Sequence, residues 1–350
     1  MSISSSTTSI SSQPKILLVK LSSLGDVLHN LPIIWDIRAR LPEAQIDWVV
    51  EEGYVNLLEP LKSSPGFRGI DRIIPFGLRR WKKNLFSSHS WSDFFAFKSE
   101  LQKISYDFVI ETQGLIKSAL VCALAHKNPD AVVAGLANAT EFSGYEPQAR
   151  MFYTQSVQVP IDCHAVDRSR WVACSALDLP LIGRTEAPRF YPPEFVENIP
   201  VCNIAGIEKP YIVFFHSTAR AAKRWANEEW VALGKALSRI GYQVVLPWGN
   251  EAEKKISETL SNQIPESLVP PRFSIDEAFS VIASAALVVG VDTGLTHLAA
   301  VINRPTIEIY CDSPLWKTEG YWSNQIINLG DMKNPPSAKE VLAAAIQLLA

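Results

Sequence analysis

Asp26 stands in the run Lys15-Ile-Leu-Leu-Val-Lys-Leu-Ser-Ser-Leu-Gly-Asp26-Val-Leu-His29, where an apolar segment passes through small residues into a helical pattern. A carboxylate at that joint has two readings. It caps the free N–H groups of the helix that follows. Or it acts as a general base, kept ionised by the same helix start, while Gly25 leaves room for a substrate hydroxyl. A second joint, Val288-Val-Gly-Val-Asp292-Thr293-Gly294-Leu-Thr-His297, sets Thr293 and His297 on one helix face. With Gly294 admitting a phosphate to the first-turn N–H groups it reads as a diphosphate cradle, or else as a capped helix with a core histidine. A third, Phe215-His216-Ser-Thr218-Ala219-Arg220-Ala-Ala-Lys223-Arg224, gathers cations and hydroxyls after an apolar run. That composition suits a diphosphate and also occurs in plain solvated loops.

Elsewhere, Leu78-Arg79-Arg80-Trp81-Lys82-Lys83 is the densest basic cluster in a chain of net charge -3. It fits an anionic, partly lipidic acceptor or a membrane surface, or is a solvated face. Lys117, in Thr112-Gln-Gly114-Leu-Ile-Lys117, opens a helix after a strand and points to a ligand or to water. His164 and Arg168, a helical turn apart, can hold an anion or form a local pair. Glu51 and Glu52 end a strand as a hydrogen-bonding pair or as solvated carboxylates.

The elements that must position these residues follow from hydrophobic periodicity. Strands are predicted at Ile16–Val19, Ile46–Val50, Arg72–Ile74, Phe108–Glu111 and Val132–Ala134, and again at Tyr211–Phe215, Gln243–Leu246, Leu287–Val291 and Thr306–Tyr310. Helices are predicted at Glu228–Arg239, Glu251–Leu260, Ile275–Ser284 and Thr293–Val301, and Val27, Leu28, Leu31, Ile34 and Trp35 read as one apolar helix face. Strand-turn-helix alternation predicts an α/β fold of two doubly wound domains facing across a cleft. The expected divisions are a disordered Ser/Thr-rich leader over 1–14, a domain over 15–185, a proline-rich connection over 186–209 and a domain over 210–350.

Composition narrows the function classes. The acidic balance argues against an obligate nucleic-acid partner. Five scattered cysteines without a Cys-x-x-Cys pair suggest a reduced, cytoplasmic protein with no metal site. No apolar run approaches the ~18 residues of a membrane span, and the first residues lack the pattern of a signal peptide. The absence of a Walker loop and of G-x-G-x-x-G weakens nucleotide hydrolysis and hydride transfer.

Taken in order, Val19-Lys-Leu-Ser-Ser-Leu-Gly-Asp26-Val-Leu-His29, Asp47-Trp-Val-Val-Glu51-Glu52-Gly53, Arg79-Arg-Trp-Lys-Lys83, Gln113-Gly-Leu-Ile-Lys117-Ser118, His164-Ala-Val-Asp-Arg168, Leu246-Pro-Trp-Gly249 and Asp292-Thr-Gly-Leu-Thr-His297-Leu298 resemble the bacterial lipopolysaccharide heptosyltransferases from about Lys15 onward. The resemblance implies a GT-B glycosyltransferase with an acceptor domain followed by a nucleotide-sugar domain. It implies transfer of heptose from ADP-L-glycero-β-D-manno-heptose to the Kdo residue of Kdo2-lipid A, with inversion and without an essential metal or cofactor. Peripheral contact with the cytoplasmic face of the inner membrane goes with that acceptor. Alternatives are the members that add heptose to heptose and, in another class, a catalytically silent GT-B binding module.

By motif, Asp26 matches the family's catalytic base. Thr218, Ala219, Lys223, Glu253, Phe273, Asp292, Thr293, Gly294 and His297 match its donor-binding positions. Arg79, Arg80, Lys82, Lys83, Lys117, His164 and Arg168 are the expected acceptor contacts. Ala219 stands where a second Thr is common and Phe273 where Met is often found, so Phe273 is expected to stack on adenine. The implied chemistry is self-consistent. Inversion needs a base on the acceptor hydroxyl, and the leaving diphosphate needs the positive potential of Lys223 and the helix start at Thr293.

Overall fold

The apolar runs become two parallel sheets in a computed structural model that describes residues 13–83, 87–181, 186–203, 205–206, 210–218 and 220–350. The leader as far as residue 12, parts of the connection read over 186–209, and Ala219 lie outside the described residues. The chain divides into two compact units, Met1–Leu21, Pro32–Ile161 and Arg168–Ile182 in one, and Ser22–Leu31, Asp162–Asp167 and Gly183–Ala350 in the other.

In the first unit, β1 (Lys15–Val19), α2 (Pro32–Arg40), β2 (Gln45–Glu51), α3 (Val55–Leu58) and β3 (Arg72–Phe76) are followed by α4 (Leu78–Lys83), α5 (Ser88–Leu101), β4 (Tyr106–Glu111), α6 (Ile116–Leu124), β5 (Lys127–Leu136) and β6 (Gln155–Val157). The sheet order is β3-β2-β1-β4-β5-β6, all parallel, which is the doubly wound dinucleotide-fold order. Leu17, Val19, Val49 and Val109 meet Phe97, Leu101 and Val121 in its core. The central strands β1 and β2 are buried almost without interruption and not in alternation, as expected of a parallel sheet covered on both faces.

The second unit contains α1 (Leu24–Asn30) and the first residues of α7 (Ala165–Ala176), although both follow from segments of the first. It continues with α8 (Pro193–Glu197), β7 (Tyr211–Phe215), α9 (Asn227–Arg239), β8 (Gln243–Val245), α10 (Glu251–Ser261), α11 (Ile275–Ser284) and β9 (Leu287–Val291). It ends with α12 (Gly294–Val301), β10 (Thr306–Tyr310), β11 (Ile326–Gly330) and α13 (Ala338–Leu349). Its strand order, β11-β10-β9-β7-β8, reverses between β7 and β9. At such a switch point the loops leaving adjacent strands part to opposite faces and leave a crevice at the strands' carboxyl ends. The two loops leaving it are those read as diphosphate-suited.

The single apolar face expected from Val27 to Trp35 is two helices. Pro32 lacks the N–H that a continuous helix would use, so α1 ends at Asn30 and α2 begins on the proline. The division between the two units falls at the same place. Strands β6 and β11 were not anticipated. Among the described residues no helix is long and apolar enough to cross a membrane.

Candidate functional site

Ser23, not Asp26, is the N-cap of α1. Asp26 is the third helical residue, and its Oδ2 accepts from the Ser23 N–H at 3.0 Å and the Ser23 hydroxyl at 2.8 Å. The pair forms a capping box, so the carboxylate is oriented by the helix it begins. Asp26 is half-buried.

The first turn of α1 lies against the first turn of α12. A Cβ on Gly25 would stand 3.1 Å from His297 Cδ2 and 3.5 Å from Gly294 Cα, and one on Gly294 would fall 2.6 Å from Leu24 Cδ2 and 3.0 Å from the Gly25 nitrogen. The space expected to admit a hydroxyl at Gly25 is therefore filled by α12. Both glycines serve close packing, and they bring Asp26 next to the turn Asp292-Thr293-Gly294.

That turn rests on a buried row of alternating charges. His297 gives Nε2 to Asp292 Oδ1 and Nδ1 to Glu308 Oε1, each at 3.0 Å. Burial works against its charge, but Glu308 and Asp292 outweigh it and raise the imidazole pKa to about 10. Burial likewise opposes ionisation of Asp292, yet His297 and Lys223 hold its carboxyl well below the usual range. Asp292 also accepts from Lys223 Nζ, from Ser313 Oγ at 2.6 Å and from Thr318 Oγ1 at 3.2 Å. Glu308 Oε2 accepts from Tyr310 at 2.9 Å and the Gly320 N–H at 3.1 Å. Lys223, Asp292, His297 and Glu308 thus alternate in sign, which lets four ionised groups share a largely dry interior. Thr293 is the N-cap of α12, and its carbonyl accepts from Thr296 and His297.

His29, one turn beyond Asp26, packs its ring 4.7 Å from His297 and 6.1 Å from His164. Burial, then the neighbouring His297 and His164, push its pKa well below the ordinary value, so it stays neutral, and its Nε2 is buried without a partner among the described residues. His164 accepts from the Val166 N–H on Nδ1 at 3.2 Å, which puts its proton on Nε2, facing the Glu319 carbonyl at 3.1 Å. Both ring nitrogens of this expected acceptor contact are thereby engaged.

Of the other expected donor contacts, Thr218 is buried after β7. Nearby His216 bonds Ser257 and Ser217 at 2.9 Å each, and burial with Arg224 lowers its pKa to about 4. Glu253 Oε2 accepts from the Gly249 N–H at 2.7 Å, and Asn250 caps α10. Phe273 is half-buried just before Ser274, the cap of α11.

The expected acceptor contacts of the first unit gather beside β2. Glu51 accepts from Arg79 Nε at 2.7 Å and Lys117 Nζ at 3.3 Å, so these two cations share one carboxylate. Arg80 pairs with Glu52 at 3.2 Å and with Asp93. Lys82 and Lys83 are exposed, with no ion pair among the described residues. Trp81, at the centre of that basic cluster, is largely buried, with its ring edge-on to Phe76 at 5.2 Å. Buried Arg168 reaches the Gln113 carbonyl at 3.4 Å. That turn is built by Glu111, which accepts from the Gln113 and Gly114 N–H groups at 2.7 and 2.9 Å.

Sequence reasoning missed Glu308, Ser313 and Thr318, which complete the Asp292 array. Glu308 carried a usable signal, as a carboxylate in the middle of the apolar strand Thr306-Ile-Glu-Ile-Tyr310 must be paired when buried.

Comparison with known proteins adds an independent line. The pattern of glycosyltransferase family 9 (heptosyltransferase) matches residues 94–344. Lipopolysaccharide heptosyltransferase 1 of Pseudomonas aeruginosa is 35% identical over 331 residues, covering 93% of this chain and 86% of the relative. The structure of the E. coli heptosyltransferase WaaC with ADP matches with a TM-score of 0.79 at 32% identity, covering 96% of this chain and all of that one. The same E. coli protein with ADP-2-deoxy-2-fluoro heptose matches with a TM-score of 0.73 at 32% identity, over 95% and 98% of the two chains.

Proposed function

The chain belongs to glycosyltransferase family 9, the heptosyltransferases, and has their GT-B type of fold; from that premise we propose that it moves heptose from ADP-heptose to the Kdo residue of Kdo2-lipid A in building the lipopolysaccharide inner core. The observation that carries the reading is the contact of the Asp26 turn with the Asp292-Thr293-Gly294 turn, a base beside a diphosphate-suited helix start.

In this reading Asp26 removes the proton of the acceptor hydroxyl as that oxygen attacks the anomeric carbon on the face opposite the diphosphate. The C–O bond to the diphosphate breaks, the configuration inverts and ADP leaves. The capping box holds the carboxylate while Ser23 keeps its conformation. Lys223 has three donors and gives one to Asp292, so others remain for the developing charge on the diphosphate. The N-terminus of α12 at Thr293 adds its dipole. His297 acts through Asp292, since both its nitrogens are engaged by carboxylates. Thr218 lines the diphosphate side, Glu253 accepts from ribose hydroxyls and Phe273 stacks on adenine. Arg79, Arg80, Lys82, Lys83 and Lys117 face the acceptor's phosphates and carboxylates, of which Lys82 and Lys83 bring charge not already neutralised. The same anionic acceptor brings the protein to the cytoplasmic face of the inner membrane as a peripheral partner.

The test is a transfer assay with the purified chain, ADP-heptose and either Kdo2-lipid A or an already heptosylated acceptor, run beside Asp26→Asn. Product is expected with the first acceptor alone. The Asn side chain can still accept from Ser23 but is no base, so the variant should lose about 10²- to 10⁴-fold in kcat with ADP-heptose binding unchanged. Product with the heptosylated acceptor only reassigns the step, and full turnover by Asp26→Asn removes Asp26 as the base.

A further inference from the structure

Between α4, α5 and α6 the first unit carries a groove of about 590 Å³ that the transfer chemistry does not use. Its walls come from Trp81, Trp91, Phe94, Ile116, Leu120 and Leu124, and Lys82 and Lys117 stand at its margin. Trp91 is 56% and Leu120 47% exposed, an arrangement that leaves large apolar side chains in water around a concavity. The aromatic wall is continuous, with ring centroids 5.7 Å apart for Trp81 and Phe94 and 6.4 Å apart for Trp91 and Phe94. The volume is that of a small-ligand cavity, but a sugar or nucleotide would need converging donors and acceptors, and beyond the two lysines the described lining offers Ser90 and the indole N–H groups of Trp81 and Trp91, with no carboxylate or amide. Hydrocarbon satisfies such walls without them.

We propose that this groove holds one acyl chain of the lipid acceptor while its anionic head lies over the lysines of α4. The inference rests on the proposed transfer to Kdo2-lipid A. Charge argues for that occupant. Around α4, among the described residues, the cations Arg79, Arg80, Lys82, Lys83 and Lys117 stand with the carboxylates Glu51, Glu52 and Asp93, five positive charges to three negative beside an apolar slot. A phosphorylated, acylated molecule presents the complementary pair, a multiply charged head joined to a chain. The concavity favours one discrete chain over the flat face of a bilayer.

Leu120→Glu and Ala123→Trp test it, the first placing a charge in the groove and the second filling it, both at exposed positions of α6. Transfer is measured with Kdo2-lipid A in detergent micelles, where no bilayer exists, and with its fully deacylated, soluble counterpart. Both variants should raise KM for the acylated acceptor by about tenfold or more, the scale set by losing contact with a few methylenes. KM for the deacylated acceptor and for ADP-heptose should stay within about twofold, which also shows that the variants fold. Equal KM changes for both acceptors, or no change for either, overturns the acyl-chain site. Wild-type inactivity on both acceptors would instead overturn the underlying function, so the two failures read differently.

Discussion

His297 lies between two carboxylates, and its protonation ties the site to pH. Its pKa rises from 6.5 to about 10 on folding because Glu308 and Asp292 outweigh the cost of burial. A group with a raised folded value contributes stability that is complete below pH 6.5 and is lost as pH climbs through about 10. Asp292 has the opposite sense, and its contribution disappears only in strong acid, below the usual carboxylate range. The denaturation midpoint should therefore fall between pH 7 and pH 10. His297→Gln should already be weaker at pH 7, by roughly 3 kcal/mol because it strands buried carboxylates, and should lose most of that slope. Urea unfolding of both proteins across this range checks it. A wild-type midpoint flat to pH 10, or an undiminished slope in the variant, would mean that His297 is not the charged centre of the array. Asp292 and His297 were recognisable from their spacing after a strand. Their pairing with Glu308, Ser313 and Thr318 was not, because those residues arrive from another strand and loop, and only the fold brings them to Asp292 and His297.

The contact of α1 with α12 explains why two motifs far apart in sequence both carry glycine. An Ala at 294 would drive its Cβ to 2.6 Å from Leu24 and 3.0 Å from backbone, whereas at 25 the nearest atom is the edge of His297 at 3.1 Å. Overpacking of the first kind costs about 1–3 kcal/mol and moves the helix carrying Asp26. Gly294→Ala should thus lose more stability and more kcat than Gly25→Ala, as measured by urea unfolding and the transfer assay, and the reverse ranking would contradict the packing described. Elements bounded by strong local signals were legible in the sequence. The strands Tyr211–Phe215, Leu287–Val291 and Thr306–Tyr310 and the helix Ile275–Ser284 have the bounds their patterns predicted. Apolar β-branched runs set those strands, and the Ser274-Glu277 capping box starts that helix. β6 has three residues, Gln-Ser-Val, at a sheet edge, too short and polar to declare itself. The split at Pro32 was readable, but a continuous apolar face obscured it.

Across the whole molecule the charged machinery divides by environment, and the division predicts different responses to salt. In the second unit, Asp292, His297 and Glu308 are buried and bonded to one another, so mobile ions reach them poorly. In the first unit, Lys82, Lys83 and most of the Arg79 side chain are exposed, the condition in which screening is effective. The Debye length shrinks from about 10 Å at 0.1 M to about 3 Å at 1 M, so attraction between exposed lysines and an anionic acceptor should fade over that interval. KM for a deacylated acceptor should accordingly climb severalfold with salt, while KM for ADP-heptose changes much less. Lys82→Gln with Lys83→Gln should begin with the higher acceptor KM at low salt and show a flatter dependence. Arg79→Gln alone is a poorer probe, since it leaves Lys117 as the partner of Glu51 and mixes lost attraction with a rearranged ion pair. Parallel salt curves for both substrates, or a double variant as salt-sensitive as the wild type, would show that the exposed lysines of α4 do not attract the acceptor.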